Sequence, residues 1–145
     1  MSQATPDLYE LYHFINGEKV AGTSGGRMGD IFNPSLGAKS AEVPLASKSE
    51  VESAIAVAQA AFPAWSGMSV LGRSRIMTKF VHLLYKHQHE LGELVCKEHG
   101  KVIEDAMGSV LRGIEVAEFA CGAPHAQKGE FSDNVANGID IYSMR

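Results

Sequence analysis

Helix punctuation between Ser47 and Gly122 constrains this chain more than any other feature of its sequence. Ser47-Lys48-Ser49-Glu50 is a capping box, in which the Ser47 hydroxyl accepts from the Glu50 amide while the Glu50 carboxylate reaches back. Val51, Ala54, Ile55, Ala58 and Phe62 then recur at helical spacing, and Pro63 is predicted to end that helix. A second helix, from about Ser69 to Lys86, would bury Ile76, Met77, Phe80, Leu83 and Leu84. A third, from about His87 to His99, carries Leu91, Leu94 and Val95 and meets a terminating glycine at Gly100. The fourth runs from about Val102 to Cys121, toward Gly122 and Pro124.

Strands and turns occupy residues 1–46. Tyr12–Ile15 and Glu18–Ala21 flank Asn16-Gly17, a dipeptide that tolerates the positive φ angles of a tight hairpin. Gly22–Asp30 is predicted to be a mobile glycine-rich loop, Ile31-Phe32 a short strand, Asn33–Gly37 a turn and Ala38–Val43 a strand stopped by Pro44. After the helical part, residues 47–125, comes a polar connection through Asp133-Asn134 and one alternating strand over Ile139–Met144, within residues 126–145. The pattern is α/β: a short hairpin segment, about four helices and a final strand. Because Arg145 falls in mid-strand, the chain is expected to be an amino-terminal fragment.

The formal net charge is −4 with no block of like charge, so nucleic acid and anionic membranes have no electrostatic support as partners. No apolar run approaches the length of about 18 that suggests a membrane span. Met1–Glu10 is polar and acidic, unlike an export or organelle signal, and Cys96 and Cys121 lie in predicted helices; a cytoplasmic location is expected.

One helical stripe carries candidate chemistry. Asp105, Gly108, Arg112, Glu115 and Phe119 share a face of the fourth helix. Gly108 lies one turn before Arg112, so a ligand could approach from that side. A guanidinium suits a carboxylate, which it grips with two parallel hydrogen bonds. The competing reading is an exposed Arg112–Glu115 pair at i,i+3, contributing a few tenths of a kcal/mol.

The run Arg112–Gly122, with Glu98–Lys101 before it and Lys128–Glu130 and Gly138–Arg145 after it, resembles the methylmalonate-semialdehyde dehydrogenases. These are the CoA-acylating branch of the aldehyde dehydrogenase superfamily. The likeness extends from about Tyr12 to Arg145. Phe14–Glu18, Phe32–Pro34 and Ala60–Ser66 are common to the wider superfamily, whereas the Arg112–Gly122 run is more particular to this branch. The resemblance implies a full-length homo-oligomer, dimer or tetramer, that uses NAD and coenzyme A to convert malonate or methylmalonate semialdehyde to acetyl-CoA or propionyl-CoA with loss of carbon dioxide. It also implies a role in valine or inositol catabolism, with the final strand leading into the dinucleotide-binding domain. In the family an arginine at the position of Arg112 binds the substrate carboxylate, which makes Arg112 the substrate-binding candidate. The catalytic cysteine, the oxyanion-stabilising asparagine and the cofactor contacts of the family lie beyond Arg145. By itself the chain is therefore expected to bind neither NAD nor CoA and to have no catalytic residue.

Other groups weigh less. Gly22, Gly25, Gly26 and Gly29 match neither the dinucleotide nor the P-loop spacing. His82, His87 and His89 lack the further ligands of a metal site. Cys96 and Cys121 are expected to be packed small residues, and Glu115 and Glu118 surface or ion-pair groups. The alternatives are a non-catalytic helical interaction module, or a fragment of another family member such as a succinate-semialdehyde or betaine-aldehyde dehydrogenase.

Overall fold

The computed structural model describes residues 9–22 and 26–145. Among the described residues seven strands and five helices follow in the order β1 (Tyr9–Glu10), β2 (His13–Ile15), β3 (Glu18–Val20), β4 (Met28–Asn33), β5 (Ala38–Pro44), α1 (Lys48–Gly67), α2 (Val70–Lys86), α3 (Gln88–His99), α4 (Ile103–Cys121), α5 (Ala123–Ala126), β6 (Glu130–Ala136) and β7 (Ile139–Ser143).

Strand β5 is central to a three-stranded sheet, antiparallel to β4 and parallel to β1, and its Ala41 is fully buried. The β4–β5 turn is closed by Asn33, whose Oδ1 accepts from Ser35 N at 2.9 Å and Leu36 N at 3.2 Å. Lys39 bridges Asp30, at 2.8 Å, and Glu42 across this sheet. Hairpin β2–β3 forms around Asn16-Gly17 with both residues at positive φ, as the dipeptide predicts.

Helices α2, α3 and α4 pack together. Val81 on α2 meets Ile114 and Ala117 on α4, with Met77, Leu84, Val110 and Cys121 around them, and Ile114 is 1% exposed. Ser74 on α2 donates to the Cys121 carbonyl at 2.6 Å, satisfying an acceptor that the end of α4 would leave open. Gly92 lets α3 approach α4: a Cβ there would lie 2.8 Å from Met107 Sδ. At the end of α3, Gly100 has φ +78 and packs against Pro34, where a Cβ would meet Cγ at 3.1 Å. That contact seats the β4–β5 turn on the α3–α4 junction and places Lys101 at the start of α4.

Several sequence expectations are corrected. Helix α2 leaves Ile76, Phe80 and Leu83 exposed and buries Val81 in their place. Helix α1 passes through Pro63 to Gly67, because α1 is exposed there and water can serve the Gln59 carbonyl that proline leaves without a partner. The glycine-rich loop gives way to a strand at Met28, so Gly29 belongs to β4, and Gly25 lies outside the described residues. The connection through Asp133-Asn134 is strand β6, paired antiparallel with β7, so the chain ends in a hairpin instead of a single strand. Strand β1 and the short helix α5 had no signal in the apolar pattern.

Candidate functional site

The two faces of α4 differ in composition. Ala106, Ile114 and Ala117 point into the core, whereas Arg112, Glu115, Val116 and Phe119 point outward. Val116 is 70% and Phe119 83% exposed, so a cation and two large apolar groups lie uncovered on one side of the helix.

Arg112 does not pair with Glu115. Its Nη2 donates to Ser109 Oγ at 3.0 Å, one turn back, and among the described residues no carboxylate lies within ion-pair distance of it. The guanidinium folds over Gly108, where a Cβ would stand 3.7 Å from Nη1, an ordinary contact. Gly108 thus leaves room that the guanidinium itself partly occupies.

Ser109 joins Arg112 to a second cation. Lys101 Nζ donates to Ser109 Oγ at 2.9 Å and pairs with Asp105 Oδ2 at 2.9 Å, with its side chain 21% exposed. Ser109 Oγ in turn donates to the Asp105 carbonyl at 3.2 Å. The hydrogen bond from Lys101, with a smaller contribution from Arg112, holds the Asp105 carboxyl below its usual value. The group of Lys101, Asp105, Ser109 and Arg112 carries two positive charges against one negative. The surplus positive charge is what a monoanionic ligand would neutralise.

Sequence reasoning singled out Arg112 and missed Lys101 and Ser109. The i,i+4 spacing of Lys101, Asp105 and Ser109 was a usable signal, since it puts the three on one face with Arg112.

The remaining candidates stay apart from this group. Cys96 and Cys121 are half-buried thiols, and Cys121 Sγ donates to the Ala117 carbonyl at 3.3 Å at the negative end of α4. Glu118 accepts from Tyr85 on α2 at 3.0 Å, and this bond raises the Tyr85 phenol above its ordinary value. His87 pairs with Glu90 at 2.8 Å and His89 with Glu93 at 3.4 Å, each on the surface of α3. Among the described residues no cluster of His, Cys, Asp or Glu is arranged to hold a metal ion. Gly22 packs against Pro44 and Gly29 against Val43, and a strand follows them in place of a helix N-terminus. A dinucleotide pyrophosphate has no cradle there. No single described helix is long and apolar enough to cross a membrane.

Residues 20–145 match the aldehyde dehydrogenase family, and the chain belongs to that family. Its members are oxidoreductases that act on small aldehydes. Malonate-semialdehyde dehydrogenase of Pseudomonas aeruginosa is 45% identical over 133 residues, which cover 92% of this chain and 26% of that protein. A Sinorhizobium meliloti structure assigned as a methylmalonate-semialdehyde dehydrogenase and complexed with NAD superposes with a TM-score of 0.85 and 48% identity, covering 95% of this chain and 28% of that one. The methylmalonate-semialdehyde dehydrogenase of Oceanimonas doudoroffii superposes with a TM-score of 0.82 and 46% identity, covering 92% and 27%. The chain therefore spans little more than a quarter of the length of these relatives. The fold is the amino-terminal part of the aldehyde dehydrogenase fold, as the resemblance implied.

Proposed function

We propose that these residues are the amino-terminal segment of a full-length, NAD-dependent, CoA-acylating malonate- or methylmalonate-semialdehyde dehydrogenase. In this reading Arg112 grips the carboxylate of the substrate. The whole protein would convert the semialdehyde, coenzyme A and NAD to acetyl-CoA or propionyl-CoA, carbon dioxide and NADH. It would do so as a cytoplasmic homo-oligomer in valine or inositol breakdown.

The observation that carries the reading is the state of Arg112: an outward guanidinium without a carboxylate partner among the described residues, in a cluster with one surplus positive charge. A carboxylate docked there would take two parallel charge-assisted bonds from the fork. Val116 and Phe119, uncovered beside it, supply apolar surface of the kind that lines a substrate channel once further polypeptide closes over it. NAD serves as hydride acceptor in such enzymes. This segment's contribution is to bind and orient the anionic end of the substrate while the aldehyde faces the reactive groups elsewhere. The identity of 45–48% to malonate- and methylmalonate-semialdehyde dehydrogenases favours these substrates over succinate semialdehyde or betaine aldehyde.

In the full-length protein, Arg112→Ala should raise KM for malonate semialdehyde by roughly one to several decades, as loss of a bidentate charge-assisted pair entails. Propanal, which has no carboxylate, should be oxidised as before. Unchanged kinetics with both substrates would remove the assignment.

A further inference from the structure

We propose that Ser109 is a positioning residue for Arg112, a role that rests on Arg112 being the carboxylate clamp. An arginine on an exposed helix face samples many rotamers, and fixing one of them costs entropy at the moment of binding. Here the hydroxyl one turn earlier takes up that freedom in advance. Ser109 Oγ donates its proton to the Asp105 carbonyl at 3.2 Å, which turns both lone pairs outward. One lone pair accepts from Lys101 Nζ at 2.9 Å and the other from Arg112 Nη2 at 3.0 Å. All three of its hydrogen-bonding capacities are then used, so the hydroxyl has no alternative orientation that keeps its partners. Lys101 is itself tied to Asp105 Oδ2 at 2.9 Å, which anchors the group from the start of α4.

The guanidinium is thereby drawn over Gly108, with its remaining N–H groups free for an incoming anion. A rotamer fixed before the substrate arrives strengthens binding without adding any contact to the substrate. Ser109 should consequently act on affinity and not on the chemical step.

The test compares Ser109→Ala, Ser109→Thr and Arg112→Ala in the full-length protein, with malonate semialdehyde and propanal as substrates. Ser109→Ala should raise KM for malonate semialdehyde about three- to tenfold and leave kcat within about twofold, the size of one ordinary hydrogen bond lost at an exposed site. Alanine is the better helix former, so α4 keeps its fold. Ser109→Thr retains the hydroxyl and should restore KM to within about twofold. Propanal kinetics should be the same in all the serine variants.

If Arg112→Ala raises KM while Ser109→Ala matches the parent, the positioning role is wrong and the carboxylate clamp stands. An equal loss with propanal and malonate semialdehyde in Ser109→Ala would mark a merely structural role and overturn the proposal. Should Arg112→Ala itself leave KM unmoved, the clamp fails and the role of Ser109 falls with it.

Discussion

Helices α1 and α4 have nearly the same length, 20 and 19 residues, and both carry an apolar stripe at helical spacing. Their environments differ sharply. Helix α4 buries Ala106, Ile114 and Ala117 against α2 and α3, whereas α1 buries none of its residues. Val51, Ile55 and Phe62, the stripe that periodicity marks for a core, remain exposed. Amphipathic spacing specifies that a helix has a face to cover, and it says nothing about which polypeptide covers it. Within this chain α4 finds its cover locally. The α1 stripe faces His13, Phe14 and Ile15 of β2 only across an open groove, so Val51 and Ile55 stay exposed.

Packing energetics can break the contrast. Ile114→Ala removes three methyl or methylene groups from a closed site, and should cost about 2–5 kcal/mol of stability in urea denaturation. Ile55→Ala on α1 should change stability by no more than about 0.5 kcal/mol, because little contact is lost. Equal costs would mean that the exposed stripe is packed in solution, and the distinction between the two helices would disappear.

A smaller effect sharpens the same contrast. Helix α1 depends on its local cap: Glu50 N donates to Ser47 Oγ at 3.3 Å, and Ser47 N to Glu50 Oε2 at 2.7 Å. Helix α4 begins at Val102 without a side-chain cap and relies on tertiary packing. Ser47→Ala should lower the protection of α1 amides from hydrogen exchange by about 1 kcal/mol and leave α4 amides unchanged. A parallel loss in both helices would show that they open as one unit.

What sequence could and could not disclose follows the same division between local and distant causes. The capping box, the Asn16-Gly17 hairpin and the left-handed Gly100 are decided by neighbours a few residues away, and all three lie where the sequence puts them. Pro63 misled because the rule against interior proline assumes that the freed carbonyl has nowhere to turn, and on an open helix it faces water. Strand β6 failed for the opposite reason. Every residue of Glu130–Ala136 is exposed and its middle is the polar run Ser132-Asp133-Asn134, so no alternation marks it; pairing with β7 makes it a strand. Its register shifts near Asn134, whose amide donates to Asp140 Oδ1 at 2.9 Å, and Phe131 meets Tyr142 across the pair at 4.7 Å. The turn Asn137-Gly138, with Gly138 at φ +73, repeats the dipeptide that disclosed the first hairpin and could have disclosed this one. At the candidate site, helical spacing was enough to find Arg112 and its stripe. Lys101 and Ser109 were missed although their i,i+4 spacing through Asp105 was a signal, because the stripe was read only for its arginine and glycine.

The smallest predicted effect concerns that outer face of α4. Lys101 holds the Asp105 carboxyl below its usual value, so the folded chain takes up this proton less readily than the unfolded one. The pair's contribution is complete above the ordinary carboxylate range and is lost as pH falls through the lowered folded value. Both the exposure of Asp105 and screening by salt keep it small. On α1 the comparable pair, Lys48 with Glu52, is more open, at 3.7 Å. Asp105→Asn should therefore flatten the acid limb of urea midpoints between about pH 6 and about pH 3, while Glu52→Gln should hardly alter it. If the two substitutions flatten the limb equally, Lys101 confers no advantage on Asp105, and the cation cluster on α4 is electrostatically no different from an ordinary wet helix face.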